Sequence, residues 1–195
     1  MLKENIDLNK YEKHEKIMSI AQIYLYAFLL MTLPCALCFL GYIAVWGVDW
    51  AFADYNDTLN YFLLYLIYSV FFVLGNQLTR AVVIALFCEG KFKSAELHFN
   101  WKSLMINCRC KEILSVRQLR TLLIAPIVVT GIIPFAVSLV VGYSPLMLAG
   151  ITMILGEGAS LALLIMTMKL KKNDLAEEPP PPQYGMIIYK LIIDN

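Results

Sequence analysis

Residues 121–168 read TLLIAPIVVTGIIPFAVSLVVGYSPLMLAGITMILGEGASLALLIMTM, with Glu157 as the one charged side chain. A helix needs about 20 apolar residues to cross about 30 Å of hydrocarbon. This stretch is too long for one such helix and fits two, divided by the turn signal Gly142-Tyr143-Ser144-Pro145. Toward the N-terminus, residues 58–79 carry no charge and the apolar character continues to Phe87. Residues 17–48 carry none either. The pattern predicts four membrane spans, at about 19–46, 60–87, 121–141 and 146–168.

The composition agrees. Of the 195 residues 59% are hydrophobic and 16% charged, where soluble domains average about 25% charged. Such hydrophobicity excludes extended disorder for most of the chain. The net charge of +1 gives no basic face for nucleic acid. The basic residues are distributed unevenly. Lys3, Lys10, Lys13 and Lys16 precede the first span. Seven more lie between Cys88 and Arg120, and Lys169, Lys171, Lys172 and Lys190 follow the fourth span. The loops 47–59 and 142–145 have none, and Arg80 lies inside a span. By the positive-inside rule this predicts a multi-pass protein of the cell membrane with both termini cytoplasmic. The first apolar run is too long for a signal-peptide core, so no cleaved signal is expected.

The fold class expected is therefore mainly α and integral to the membrane: four transmembrane helices with a small cytoplasmic hairpin or sheet. Residues 1–18 form a cytoplasmic segment, 19–170 the membrane domain, and 171–195 a Pro-rich cytoplasmic tail. In the cytoplasmic loop, Leu97, Phe99 and Trp101 alternate with Glu96, His98, Asn100 and Lys102, and a similar alternation runs from Leu104 to Lys111. This predicts a hairpin within 91–110, turning near 102–103. Ser115 has the position of a helix cap leading into the third span. In the tail, Pro179–Pro182 forms a stiff linker. The β-branched run after it is expected to add a third strand to the hairpin. Cys35 and Cys38 read as small apolar residues of a span, and Cys108-Arg109-Cys110 is a weak zinc signal, because one intervening residue is tight and no second ligand pair follows.

Chemistry concentrates in Gly75-Asn76-Gln77-Leu78-Thr79-Arg80. Asn76, Thr79 and Arg80 share one helix face. An ionisable residue inside a span is a functional-site hypothesis. Glu157, within Gly156-Glu157-Gly158-Ala159-Ser160, is the other charge in the hydrophobic slab, and its small neighbours let helices approach closely. Counted from the cytoplasmic end, Arg80 and Glu157 differ in depth by about 6 Å at 1.5 Å per residue, a gap arginine can span. An Arg80–Glu157 pair, direct or bridged through Asn76 or Gln77, is expected.

The layout resembles the putative zincin peptidases, small bacterial membrane proteins similar to site-2-type intramembrane metalloproteases. The matching pieces are residues 73–87, the hairpin 91–110, Lys111-Glu112-Ile113-Leu114-Ser115 on to Pro126, residues 156–164, and Gly185-Met186-Ile187-Ile188-Tyr189. The resemblance implies a His-Glu-x-x-His zinc motif in the second span and an acidic third ligand in a later one. Here the motif positions hold Asn76-Gln77-Leu78-Thr79-Arg80, and the third ligand falls at Glu157 or Ser160. Zinc hydrolysis needs two imidazoles, a third ligand and a carboxylate base. Asn76 is a poor ligand, Gln77 is no base, and Arg80 is a permanent cation. The expectation is a catalytically inactive homologue without metal or other cofactor, embedded in the lipid bilayer and binding other membrane proteins. Its degenerate site would comprise Asn76, Gln77, Arg80, Glu157 and Ser160. The alternative is a small transporter or transporter subunit using Arg80 and Glu157.

Overall fold

The computed structural model describes residues 11–51, 58–100, 105–171, 174–179 and 184–191. The first element is a strand, β1 (Tyr11–Met18), which the sequence reading left without structure. Helix α1 (Ile20–Trp46) follows. Ser19 opens it with a capping box: its hydroxyl accepts the Gln22 N–H, and the Gln22 side chain accepts the Ser19 N–H. A stripe of Leu25, Leu29, Leu33, Leu37 and Leu40 stays exposed along α1. In water such a patch would drive aggregation, whereas hydrocarbon solvates it. After the short helix α2 (Val48–Ala51), α3 (Thr58–Phe87) runs unbroken.

The hairpin is present as β2 (Ala95–Asn100) and β3 (Met105–Cys110), with Leu97 opposite Cys108 and Asn100 opposite Met105. The expected turn at 102–103 lies outside the described residues. A short strand, β4 (Leu114–Ser115), leads into α4 (Val116–Pro126). Ser115 caps α4 through a second capping box, with Gln118. Residues Ile127–Ile132 continue the rod as a π-helical segment, and α5 (Ile133–Val141) completes it. The N–H of Ile133 reaches back five residues to the Val128 carbonyl. Pro134 lies one residue beyond and has no N–H to offer. Gly142 ends the rod in a left-handed cap, φ 72°.

The fourth apolar stretch departs from the expectation of one continuous helix over 146–168. It forms α6 (Ser144–Gly156) and α7 (Gly158–Thr167), bent by 45° at Glu157. The cause lies in the residues at the bend. Glu157, between two glycines, has φ −84° and ψ 8°, and its N–H is shared between the Met153 and Ile154 carbonyls. A Cβ on Gly158 would fall 2.6–2.9 Å from atoms of Ala27, so α7 crosses α1 almost backbone to backbone. Among the described residues, three helices are thus long and apolar enough to cross a membrane, and four if the bent pair counts as one span.

The tail supplies β5 (Leu175–Glu177) and β6 (Tyr184–Leu191). The expected third strand on the hairpin is corrected here. The run after the prolines joins a separate antiparallel sheet, ordered β1-β6-β5-β4, while among the described residues β2 and β3 pair only with each other. Both edges of β6 are occupied, by β1 and β5. At the crossing of β1 and β6, Gly185 has φ 144°, and a Cβ there would lie 2.2 Å from the Lys16 carbonyl oxygen. The larger core joins the strands to the helix ends through Ile84, Cys108, Leu119, Leu122, Ala176 and Ile188.

Candidate functional site: a buried ion-paired cluster

Four of the five sequence-derived candidates meet where α3 faces the α6–α7 bend. Asn76, Arg80, Glu157 and Ser160 are each 5–7% exposed. Arg80 Nη2 donates to Glu157 Oε2 at 2.9 Å and to Ser160 Oγ at 2.6 Å. Arg80 Nε donates to Asn76 Oδ1 at 3.3 Å. The Asn76 amide donates to Glu157 Oε1, and the Ser160 hydroxyl donates to Glu157 Oε2. Both carboxylate oxygens are thereby satisfied, and the Asn76 side chain is used at both ends. Because Asn76 and Arg80 stand at i and i+4 of α3, their side chains stack on one face. The one-turn spacing of Glu157 and Ser160 does the same at the start of α7.

The fifth candidate points elsewhere. Gln77 accepts the Cys108 backbone N–H at 2.8 Å, and so ties α3 to the outer edge of β3. Thr79 bonds the Gly75 carbonyl of its own helix at 2.7 Å. The π-helical segment backs the cluster on both sides. Thr130 lies 3.6 Å from where a Gly75 Cβ would be, and Gly131 admits the Ile154 side chain. Cys35 and Cys38 are half-buried and free, and Cys35 donates to the Ile151 carbonyl. The free thiols of Cys88 and Cys110 touch, 3.1 Å apart.

This donor set does not fit zinc. Among the described residues no three His, Cys, Asp or Glu side chains are grouped to hold a metal ion. His14 lies in β1 and His98 in β2. Arg80, a permanent cation, is the hub of the hydrogen bonds. A charge of +1 about 4 Å from Zn²⁺ would cost about 8 kcal/mol at an effective dielectric of 20. That is most of the affinity of a structural zinc site, about 10–16 kcal/mol.

Sequence comparison places these elements in a family. The sequence model described as putative zincin peptidase matches residues 77–175, from Gln77 in α3 to the first residue of β5. The chain belongs to the putative zincin peptidase family. No curated protein and no solved structure matches it. In this zincin-family chain the matched region holds Arg80, Glu157, Ser160 and the hairpin. One polar residue near the cluster escaped the sequence reading. Glu178, in the tail, lies within electrostatic reach of Arg80 and Arg109. Burial pushes its carboxyl above the ordinary range, while those two cations pull it down. Its only signal in the sequence was an acidic pair before four prolines, which reads as solvated surface.

Proposed function

We propose that the protein is a catalytically inactive homologue of site-2-type intramembrane zinc proteases that acts by binding other membrane proteins. The observation that carries this reading is the fixed guanidinium of Arg80, bonded to Glu157, Ser160 and Asn76. Of the two candidates for the third-ligand position, Glu157 is spent neutralising it and Ser160 accepts from it. An active site of this class needs neutral imidazoles on one helix face and a free carboxylate beside the bound water. Here the equivalent atoms hold one another, and what remains is a rigid polar contact between α3 and the α6–α7 bend.

The sheet supports four crossings with the strands in the cytoplasm. β1 precedes the first long helix and β6 follows the last, yet the two strands pair. One sheet cannot straddle a bilayer, because its backbone groups would meet hydrocarbon. The chain between them therefore crosses an even number of times. The strand-bearing ends of the helices are those flanked by the basic residues, which favour the cytoplasm.

Metal analysis of the purified protein tests the reading beside the triple variant Asn76→His/Gln77→Glu/Arg80→His. The expected result is no stoichiometric zinc and no metal-dependent proteolysis in the native chain, with zinc uptake gained in the variant. About one zinc per native chain, lost on Arg80→Ala, would overturn it.

A further inference from the structure

Asp174 and the strand behind it deliver Glu178 to a defined place. The Val116 N–H donates to the Asp174 carbonyl at 2.9 Å, and β5 lies between β4 and β6. The chain leaves β5 at Glu177 and turns toward the outer edge of β3. That edge offers the N–H groups of Cys108 and Cys110, two residues apart and on one side. Gln77 takes the first, and the Glu178 carboxyl takes the second. The Cys108 thiol is within electrostatic reach of both Arg80 and Glu178. Cys108 is 0% exposed, and Pro179 is buried beside Glu178.

We propose that Glu178 with Pro179 is an intramolecular strap over the cytoplasmic side of the Arg80–Glu157 cluster, and that displacing it is what opens Arg80 and Cys108 to a ligand. The charges fit this role. Glu157 and Glu178 approach Arg80 from the membrane helices and from the tail, and Arg109 balances the second acid. The strap stands on these contacts alone. Only its use as a gate for a protein partner rests on the function proposed above.

The test is site-resolved alkylation of the full chain in membrane vesicles. N-ethylmaleimide is the probe, and modification of each cysteine is quantified by mass spectrometry. Wild type is expected to protect Cys108. Glu178→Lys, which places a third cation beside Arg80 and Arg109, should raise the rate at Cys108 by tenfold or more. The isosteric Glu178→Gln should raise it by a smaller factor. Cys35 and Cys38 report on the membrane helices and should keep their wild-type rates in both variants. Cys108 rates within twofold of wild type in both variants would overturn the strap. So would opening of Cys108 only together with Cys35 and Cys38, which marks general unfolding. Zinc content enters neither readout, so failure of the proposed function would leave this result unchanged.

Discussion

The two arms of the buried ion pair are built in opposite ways. Arg80 comes from the last third of α3, a helix of thirty residues without a break. Glu157 sits at a 45° bend between two short helices, flanked by glycine on both sides. The difference follows from side-chain length. A guanidinium on a long stem reaches a partner from an undisturbed helix. A carboxylate has a short stem, so the backbone has to bring it in. The bend and the close crossing of Gly158 over Ala27 do so. A membrane helix thus tolerates a buried cation with little change to its backbone, whereas the matching anion reshapes its own.

The largest effect should come from breaking one arm. Arg80→Met or Glu157→Leu leaves an uncompensated buried charge, which costs about 3–5 kcal/mol. Either variant should melt well below wild type in detergent, and the double variant should recover part of the loss. Simple addition of the two losses would mean that the arms are not coupled.

The backbone arm can be tested separately through its crossing point. Gly158→Val inserts a side chain against the Ala27 Cα and carbonyl oxygen, 2.8 and 2.9 Å from the position of its Cβ. Overpacking of this kind costs about 1–3 kcal/mol. Adding Ala27→Gly removes only a methyl group, so little stability should return in thermal melts. Full recovery would show that the helices, and not only side chains, can move apart there.

A smaller effect separates the contacts at the strand-bearing end from the buried ion pair. The Ser94 hydroxyl and the Gly90 N–H donate to Glu112, and together they hold its carboxyl below the ordinary range. A lowered folded-state value means that the contribution is present above the unfolded carboxylate value and is lost as pH falls through the folded one. Hydrogen exchange at residues 90–95, corrected for intrinsic rate, should therefore rise on acidification. Glu112→Gln should remove that dependence and leave exchange in α3 unchanged.

What could be read from the sequence was local. The cap at Ser115 was legible from its place before the third span, whereas the capping box of Ser19 with Gln22 appeared only in the structure. The hairpin shows in its alternation, and the apolar runs show the long helices. Arg80 and Glu157 stood out because a lone charge in a span needs a partner. The rest depended on distant pairing. β1 carries charge on both faces and has no strand period. It is a strand because β6 lies beside it. Gly156-Glu157-Gly158 was read as room for neighbouring helices and is also the place where the helix breaks. Gln77 bonds a backbone N–H thirty-one residues away, a target that no helix-face argument contains. Glu178 acts through an edge of β3 that exists only once the hairpin is placed.

The place of β6 between β1 and β5 has a consequence in time. During synthesis every helix leaves the ribosome before β6 does, so β1 waits without its partner while the whole membrane part is inserted. Its run of charged side chains suits that wait, because a charged strand resists pairing with the wrong neighbour. Pairing across so long a separation in sequence is slow. On the proposed topology, closure of the sheet would then come last, and would succeed only in chains whose helices have already crossed the bilayer an even number of times. On the four-crossing topology proposed above, a chain that misses one crossing would deliver β6 to the side away from β1 and leave β1 without its partner.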